Sequence, residues 1–116
     1  MRYIITIDQR TSSSKALLFD EKLNLIDHKI IPHKISHPRQ DWVEADAEEP
    51  YANTVAAIKQ LELPPFEGNE FSISMVNQRE TVVLWDKNTG KPVYPAVMWQ
   101  CRRGASFCQE LIDKGY

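Results

Sequence analysis

Tyr3-Ile4-Ile5-Thr6-Ile7-Asp8-Gln9-Arg10-Thr11-Ser12-Ser13-Ser14-Lys15 begins as an apolar, β-branched run and turns polar at Asp8. Tyr3 to Ile7 has the length and composition of a buried strand. Asp8 to Ser14 is a polar loop, and Lys15 to Phe19 returns as a second strand. Asp20 to Leu23 turns the chain again. Leu25 to Ile35 alternates as a third strand, and Pro32 puts its far part at an edge or bulge. Three strands joined by short loops predict an antiparallel meander.

Downstream, Pro38 and mixed polarity make His37 to Asp46 a loop. Asp46 and Glu49 have the spacing of a capping box. Pro50 fits only a first helical turn, which moves the predicted helix start to Glu49. Tyr51, Val55, Ile58 and Leu61 recur on one helical face, and Pro64-Pro65 end the helix. Phe71 to Val76 reads as a buried-type strand and Thr81 to Trp85 as another. Asp86-Lys87-Asn88-Thr89-Gly90 has turn chemistry. Pro95 to Trp99 is a short strand. Arg102 to Lys114 is a helix, with Phe107, Cys108 and Leu111 expected to face inward. Strands, helix, strands, helix predict a mixed α/β sheet with flanking helices, and several such folds fit this order.

The 116 residues are 42% hydrophobic and 26% charged, ordinary for one soluble globular domain long enough to bury a core. A net charge of −2 gives no broad basic field, so nucleic acid and anionic membranes are not expected partners. No apolar run approaches the roughly 18 residues of a membrane span. The start has neither the long apolar stretch nor the cleavage site of a signal peptide. Cys101 and Cys108 read as reduced thiols of a cytoplasmic protein. His28, His33 and His37 lack acidic or cysteine partners at metal-ligand spacing and read as strand and loop residues.

Chemistry is concentrated in two polar stretches. Asp8 to Lys15 offers a carboxylate at a strand end, a run of hydroxyls and a cation. Hydroxyls and loop N–H groups can surround a phosphate from several directions, and a cation offsets its charge. Asn77-Gln78-Arg79-Glu80-Thr81 places a guanidinium next to a carboxylate just after a strand. Arginine donates, a carboxylate accepts and a hydroxyl does both, so the pair suits a small polyol. Trp99-Gln100-Cys101-Arg102-Arg103 and Trp42-Val43-Glu44 complete the pattern.

In order and spacing these segments resemble the amino-terminal region of the FGGY carbohydrate kinase family, its glycerol kinase branch above other sugar kinases. The resemblance runs along nearly the whole chain. It implies a ribonuclease H-like core, as in the actin-like ATPase superfamily, with residues 1–116 forming the amino-terminal part of the family's N-terminal domain. It implies ATP and Mg²⁺ as cofactors and glycerol or a similar polyol as substrate. Thr11, Ser12, Ser13 and Lys15 then contact the nucleotide phosphates, and Asp8 stands on the Mg²⁺ side, through water. Arg79 and Glu80 bond glycerol hydroxyls, and Trp99 packs on its carbons. The family's general base is expected beyond Tyr116, so the chain alone is expected to turn over little glycerol.

Two positions depart from the family pattern. Arg10 and Asp41 stand where the family has glycine. A side chain at a point of close backbone approach predicts weaker nucleotide binding, although arginine is itself a phosphate ligand. Two other readings stay open. One is an FGGY kinase for a pentulose or longer polyol. The other is a non-catalytic relic that self-associates through apolar faces left uncovered.

Overall fold

The computed structural model describes all residues from Met1 to Tyr116. β1 (Arg2–Gln9), β2 (Ser13–Asp20) and β3 (Leu25–Pro32) form the expected antiparallel meander. β4 (Glu44–Ala45) and α1 (Glu49–Gln60) follow. The chain then returns as β5 (Glu70–Asn77), parallel to β1, so the sheet is mixed and its order is β3-β2-β1-β5. β6 (Ala96–Val97) pairs antiparallel with β4 as a separate small sheet, and α2 (Ala105–Asp113) ends the chain.

Period-two alternation decides which sheet face is covered. Tyr3, Ile5 and Ile7 on β1 and Ser14, Ala16 and Leu18 on β2 are buried, while the residues between them are only partly covered. α1 lies on the buried face. Ala57 and Leu61 join Tyr3, Ile5, Ala16 and Leu18 in the main core. Fully burying a side chain such as Leu18 contributes about 1.5–3 kcal/mol.

The helix face agrees with the predicted one at Leu61, and at Ile58, which packs on the core, and departs from it at Tyr51. Thr54, Ala57 and Leu61 face the sheet, whereas Tyr51 is exposed. Small side chains at 54 and 57 let the helix sit close, and the tyrosine ring cannot occupy that gap. The capping box does not form either. Asp46 Oδ1 accepts the Glu48 N–H at 2.9 Å, and the Glu49 carboxylate accepts the Lys34 N–H instead of reaching back to Asp46. Pro50 does lie in the first turn.

Other expectations shift as well, several of them for lack of an opposing layer. Phe71 to Val76 is a strand, but Ile73 and Met75, on the sheet face that carries α1, are exposed because α1 packs mainly on β2 and β3. Val76, on the opposite face, is exposed at the carboxyl end of the strand. Thr81 to Trp85 makes only isolated bridges, Val82 to Val97 and Trp85 to Pro92, and no strand. Between the latter two, Asp86 accepts the N–H groups of Asn88 and Thr89, which tightens the predicted turn. α2 buries no residue; Phe107 and Cys108 are exposed and Leu111 is only partly covered. The third strand stops at Pro32, short of Ile35. The molecule is therefore drawn out to 60 × 31 × 27 Å. Its radius of gyration of 18.5 Å exceeds the roughly 13 Å of a compact chain of this length. No helix is long and apolar enough to cross a membrane.

Candidate functional site

Parallel pairing of β1 with β5 brings the two polar stretches together. Asp8 pairs with Val76 and Gln9 with Asn77, so both strands end at the same level. The Gln78 N–H extends the ladder to the Gln9 carbonyl at 2.9 Å. Residues after Gln9 and after Asn77 therefore emerge side by side at the carboxyl ends of the strands, where open α/β sheets characteristically bind ligands. A groove of about 520 Å³ lies there. Asp8, Arg10, Thr11, Arg79, Glu80 and Trp99 line it, with Val76, Asn77 and Gln78 as its floor.

The first wall is the β1–β2 turn. The Arg10 N–H donates to the Ser13 carbonyl at 2.8 Å, and the His33 N–H donates to the Ser12 carbonyl at 2.8 Å. The N–H groups of Thr11 and Ser12 take no partner in the protein. Free N–H groups beside hydroxyls form a concave site for an anion. Of the residues expected to contact phosphate, only Thr11 lines the groove. Ser12 is at the exposed turn tip, Ser13 opens β2, and Lys15 stands opposite Asp8 in register on the same sheet face.

A buried polar cluster holds this turn from behind. Asn53 Nδ2 donates to the Pro32 carbonyl at 3.1 Å and to His33 Nδ1 at 3.0 Å. His33 therefore carries its proton on Nε2 and donates to Ser14 Oγ at 3.0 Å. Gln9 Nε2 donates to Thr54 Oγ1 at 3.1 Å and to the Pro50 carbonyl at 3.2 Å. The start of β2 and the end of β1 are thus pinned to the first turn of α1. Burial holds the His33 pKa below its usual value, against the opposing pull of Glu49.

The second wall is Arg79 and Glu80. Both side chains are exposed, and neither hydrogen-bonds another residue, so their donors and acceptors are free. Glu80 has φ 67°, a left-handed backbone unusual for a residue with a long side chain. Thr81, to which the sequence reading assigns no role, braces the site. Its Oγ1 donates to Gln78 Oε1 at 2.9 Å and accepts the Trp99 N–H at 3.2 Å. Trp99 Nε1 donates to Thr11 Oγ1 at 2.8 Å, tying the third groove element to the first.

Arg10 and Asp41 resolve differently. Arg10 is not among the positive-φ residues, so a side chain there strains no backbone. Its Nε donates to Asp8 Oδ2 at 2.7 Å. Asp41 does adopt φ 62°, the conformation in which glycine is favoured.

Mg²⁺ finds a poor fit at Asp8. One oxygen of the carboxylate, Oδ2, is taken by Arg10, and no group of three His, Cys, Asp or Glu residues is placed to enclose an ion, so a directly bound Mg²⁺ competes with the guanidinium.

Trp42-Val43-Glu44 and Cys101-Arg102-Arg103 meet away from the groove. Arg103 Nη2 pairs with Glu44 Oε1 at 2.6 Å, Nε donates to Cys101 Sγ at 3.0 Å, and the guanidinium lies 3.8 Å from the Trp42 ring centre. These bonds push the Arg103 pKa up. Burial pushes the Cys101 thiol up, but the N–H groups around it and Arg103 leave it below its usual value. This cluster is a brace for the β4–β6 unit. Cys101 and Cys108 are both free.

The sequence profile of the FGGY family of carbohydrate kinases, N-terminal domain, matches residues 3–116. Glycerol kinase 1 of Thermotoga maritima is 45% identical over 97% of this chain, and a glycerol kinase of Clostridium perfringens is 39% identical over 97%. The crystal structure of Plasmodium falciparum glycerol kinase with ADP superposes on the whole chain with a TM-score of 0.85 at 32% identity, over 24% of its own length. Xylulose kinase from Rhodospirillum rubrum shares the fold, with a TM-score of 0.86 at 23% identity. The chain spans about a quarter of the length of the curated relatives it matches, 23% for both glycerol kinases named. The mixed sheet with its two helices is thus part of a ribonuclease H-like, actin-like α/β domain, and the chain belongs to the FGGY family of carbohydrate kinases.

Proposed function

We propose that residues 1–116 form the amino-terminal part of the N-terminal domain of a glycerol kinase, which transfers the γ-phosphoryl group of ATP to glycerol and yields ADP and sn-glycerol 3-phosphate. The observation that carries this reading is the shared groove of Thr11, Arg79, Glu80 and Trp99. The names of the Thermotoga, Clostridium and Plasmodium relatives support it.

In this reading Arg79 donates to glycerol hydroxyls and Glu80 accepts from them. The Trp99 indole covers the carbon backbone. Thr11 faces the nucleotide phosphates through its hydroxyl and free N–H, and Ser12, Ser13 and Lys15 flank it with a free N–H, hydroxyls and a cation. Phosphoryl transfer depends on positioning and charge compensation, and these residues supply one side of both. Cys101 and Cys108, as free thiols, suit a cytoplasmic setting.

The test is polyol-dependent thermal stabilisation of this chain beside Arg79→Ala. Glycerol is expected to raise the melting temperature of the native chain more than that of the variant, and xylulose or xylitol to raise it less. Equal shifts in both proteins would reflect bulk solvent exclusion and would sink the glycerol assignment. A larger shift with xylulose would favour the pentulose branch.

A further inference from the structure

Arg10 sits where the Asp8 carboxylate would otherwise stand open to a cation. We propose that the Arg10 guanidinium replaces the divalent ion at Asp8, so that the groove takes the phosphate tail of a nucleoside diphosphate or triphosphate without a metal. This inference rests on the groove being the phosphate side of a kinase site.

Four observations carry it. The Arg10 Nε to Asp8 Oδ2 distance is 2.7 Å, in the range of charge-assisted bonds. The Asp8 side chain is 18% exposed and that of Arg10 is 65% exposed. The carboxylate is therefore the more covered partner and the guanidinium lies on its solvent side, so an ion at Oδ2 competes with the guanidinium. Only Nε is used in this bond. A guanidinium has five N–H donors in a fork that matches phosphate oxygens, so Arg10 can neutralise Asp8 and bind an anion together. Finally, the groove lining holds two carboxylates, Asp8 and Glu80, and two guanidiniums, Arg10 and Arg79. It is charge-balanced as it stands. With glycine at position 10 it would carry a net negative charge and need an added cation before admitting phosphate. Lys15, opposite Asp8 in register, adds positive charge on the same face.

The experiment is titration of ADP into the full chain and into Arg10→Gly, with Mg²⁺ or with EDTA, followed by tryptophan fluorescence and calorimetry. The native chain is expected to bind ADP with a Kd that changes by less than about twofold between the two buffers. Arg10→Gly is expected to bind at least about tenfold more weakly in EDTA and to recover with Mg²⁺. Arg10→Gln serves if the glycine variant loses its circular dichroism signature, with the same expectation in EDTA. Asp8→Asn in the native background should leave EDTA binding unchanged or tighter, since it frees the guanidinium. Native binding that requires Mg²⁺, or Arg10→Gly binding as well as native in EDTA, overturns the inference while leaving the kinase reading intact. No ADP binding by either protein in either buffer overturns both.

Discussion

The indole of Trp99 donates a 2.8 Å hydrogen bond to the hydroxyl of Thr11, 88 residues earlier in the chain. That bond joins the β1–β2 turn to the segment after β6 and fixes the width of the groove. Trp99 is 53% exposed, so the bond competes with water. A net value of about 0.5–1.5 kcal/mol is the ordinary range, and the low end applies here. In a double-mutant cycle of Thr11→Val and Trp99→Phe, urea unfolding should give a coupling of about 0.5 kcal/mol. Strict additivity would mean that the two walls are independent.

Glu80 tests whether strain is stored at the groove. A non-glycine residue at φ 67° carries about 1–2 kcal/mol of backbone strain, partly offset by the unfolded-state entropy that glycine adds. Glu80→Gly should unfold at higher urea than Glu80→Ala, by about 0.5–1 kcal/mol, because both lose the side chain and only glycine relieves the backbone. Both should lose the glycerol-specific thermal shift. Asp41→Gly should gain less, since aspartate tolerates the left-handed region.

His33 makes stability depend on pH in a stated direction. Its pKa is lowered in the folded protein by burial, so the unfolded chain binds the extra proton first. Its stabilising share is complete above the unfolded value of about 6.5 and is lost as pH falls through the lower folded value. The geometry agrees, because a proton on Nδ1 would face the Asn53 amide hydrogens at 3.0 Å. Urea midpoints should fall as pH drops from 7 toward 5, and His33→Gln should flatten that slope. An unchanged slope would remove His33 as the cause.

The Glu44–Arg103 pair should matter more than the exposed pair in α2. Glu44 is 7% exposed and its carboxylate also accepts the Tyr94 hydroxyl at 3.2 Å. Removing Arg103 strands that carboxylate, whereas Lys114 and Glu110 are well solvated. Arg103→Ala should lower the urea midpoint clearly, and Lys114→Ala should leave it unchanged within error.

Ile73 and Met75 pair in register with Ile5 and Ile7, on the sheet face that α1 covers elsewhere. They are 67% and 61% exposed. Unpaired strand edges with apolar faces associate. The chain should elute at increasing apparent size as concentration rises, and Ile73→Lys with Met75→Lys should abolish the trend without lowering stability. A concentration-independent monomer would rule out this surface as sticky.

Local pattern carried much of this reading. Alternation along Tyr3 to Asp20 is a two-strand signal that needs no partner to be read, and Pro50 and Pro64 bound α1 by backbone chemistry alone. Where a partner layer decides the outcome, local pattern misleads. Thr81 to Trp85 has strand composition, yet it meets the segment from Lys91 to Val97 through isolated bridges and not a continuous ladder, and Phe107 has a helical apolar face with nothing opposite it.

The amino-acid order by itself determined the hairpin, the start of α1, the family and the identities of the polar groups, because each depends on short-range stereochemistry or on motif spacing, whereas α2 begins at Ala105 and not at the expected Arg102. Only the tertiary structure decided that Thr11, Glu80 and Trp99 share one groove and that Arg10 occupies the Asp8 carboxylate. Parallel β1–β5 pairing and side-chain ion pairing are through-space contacts between residues whose separation along the chain says nothing of their distance.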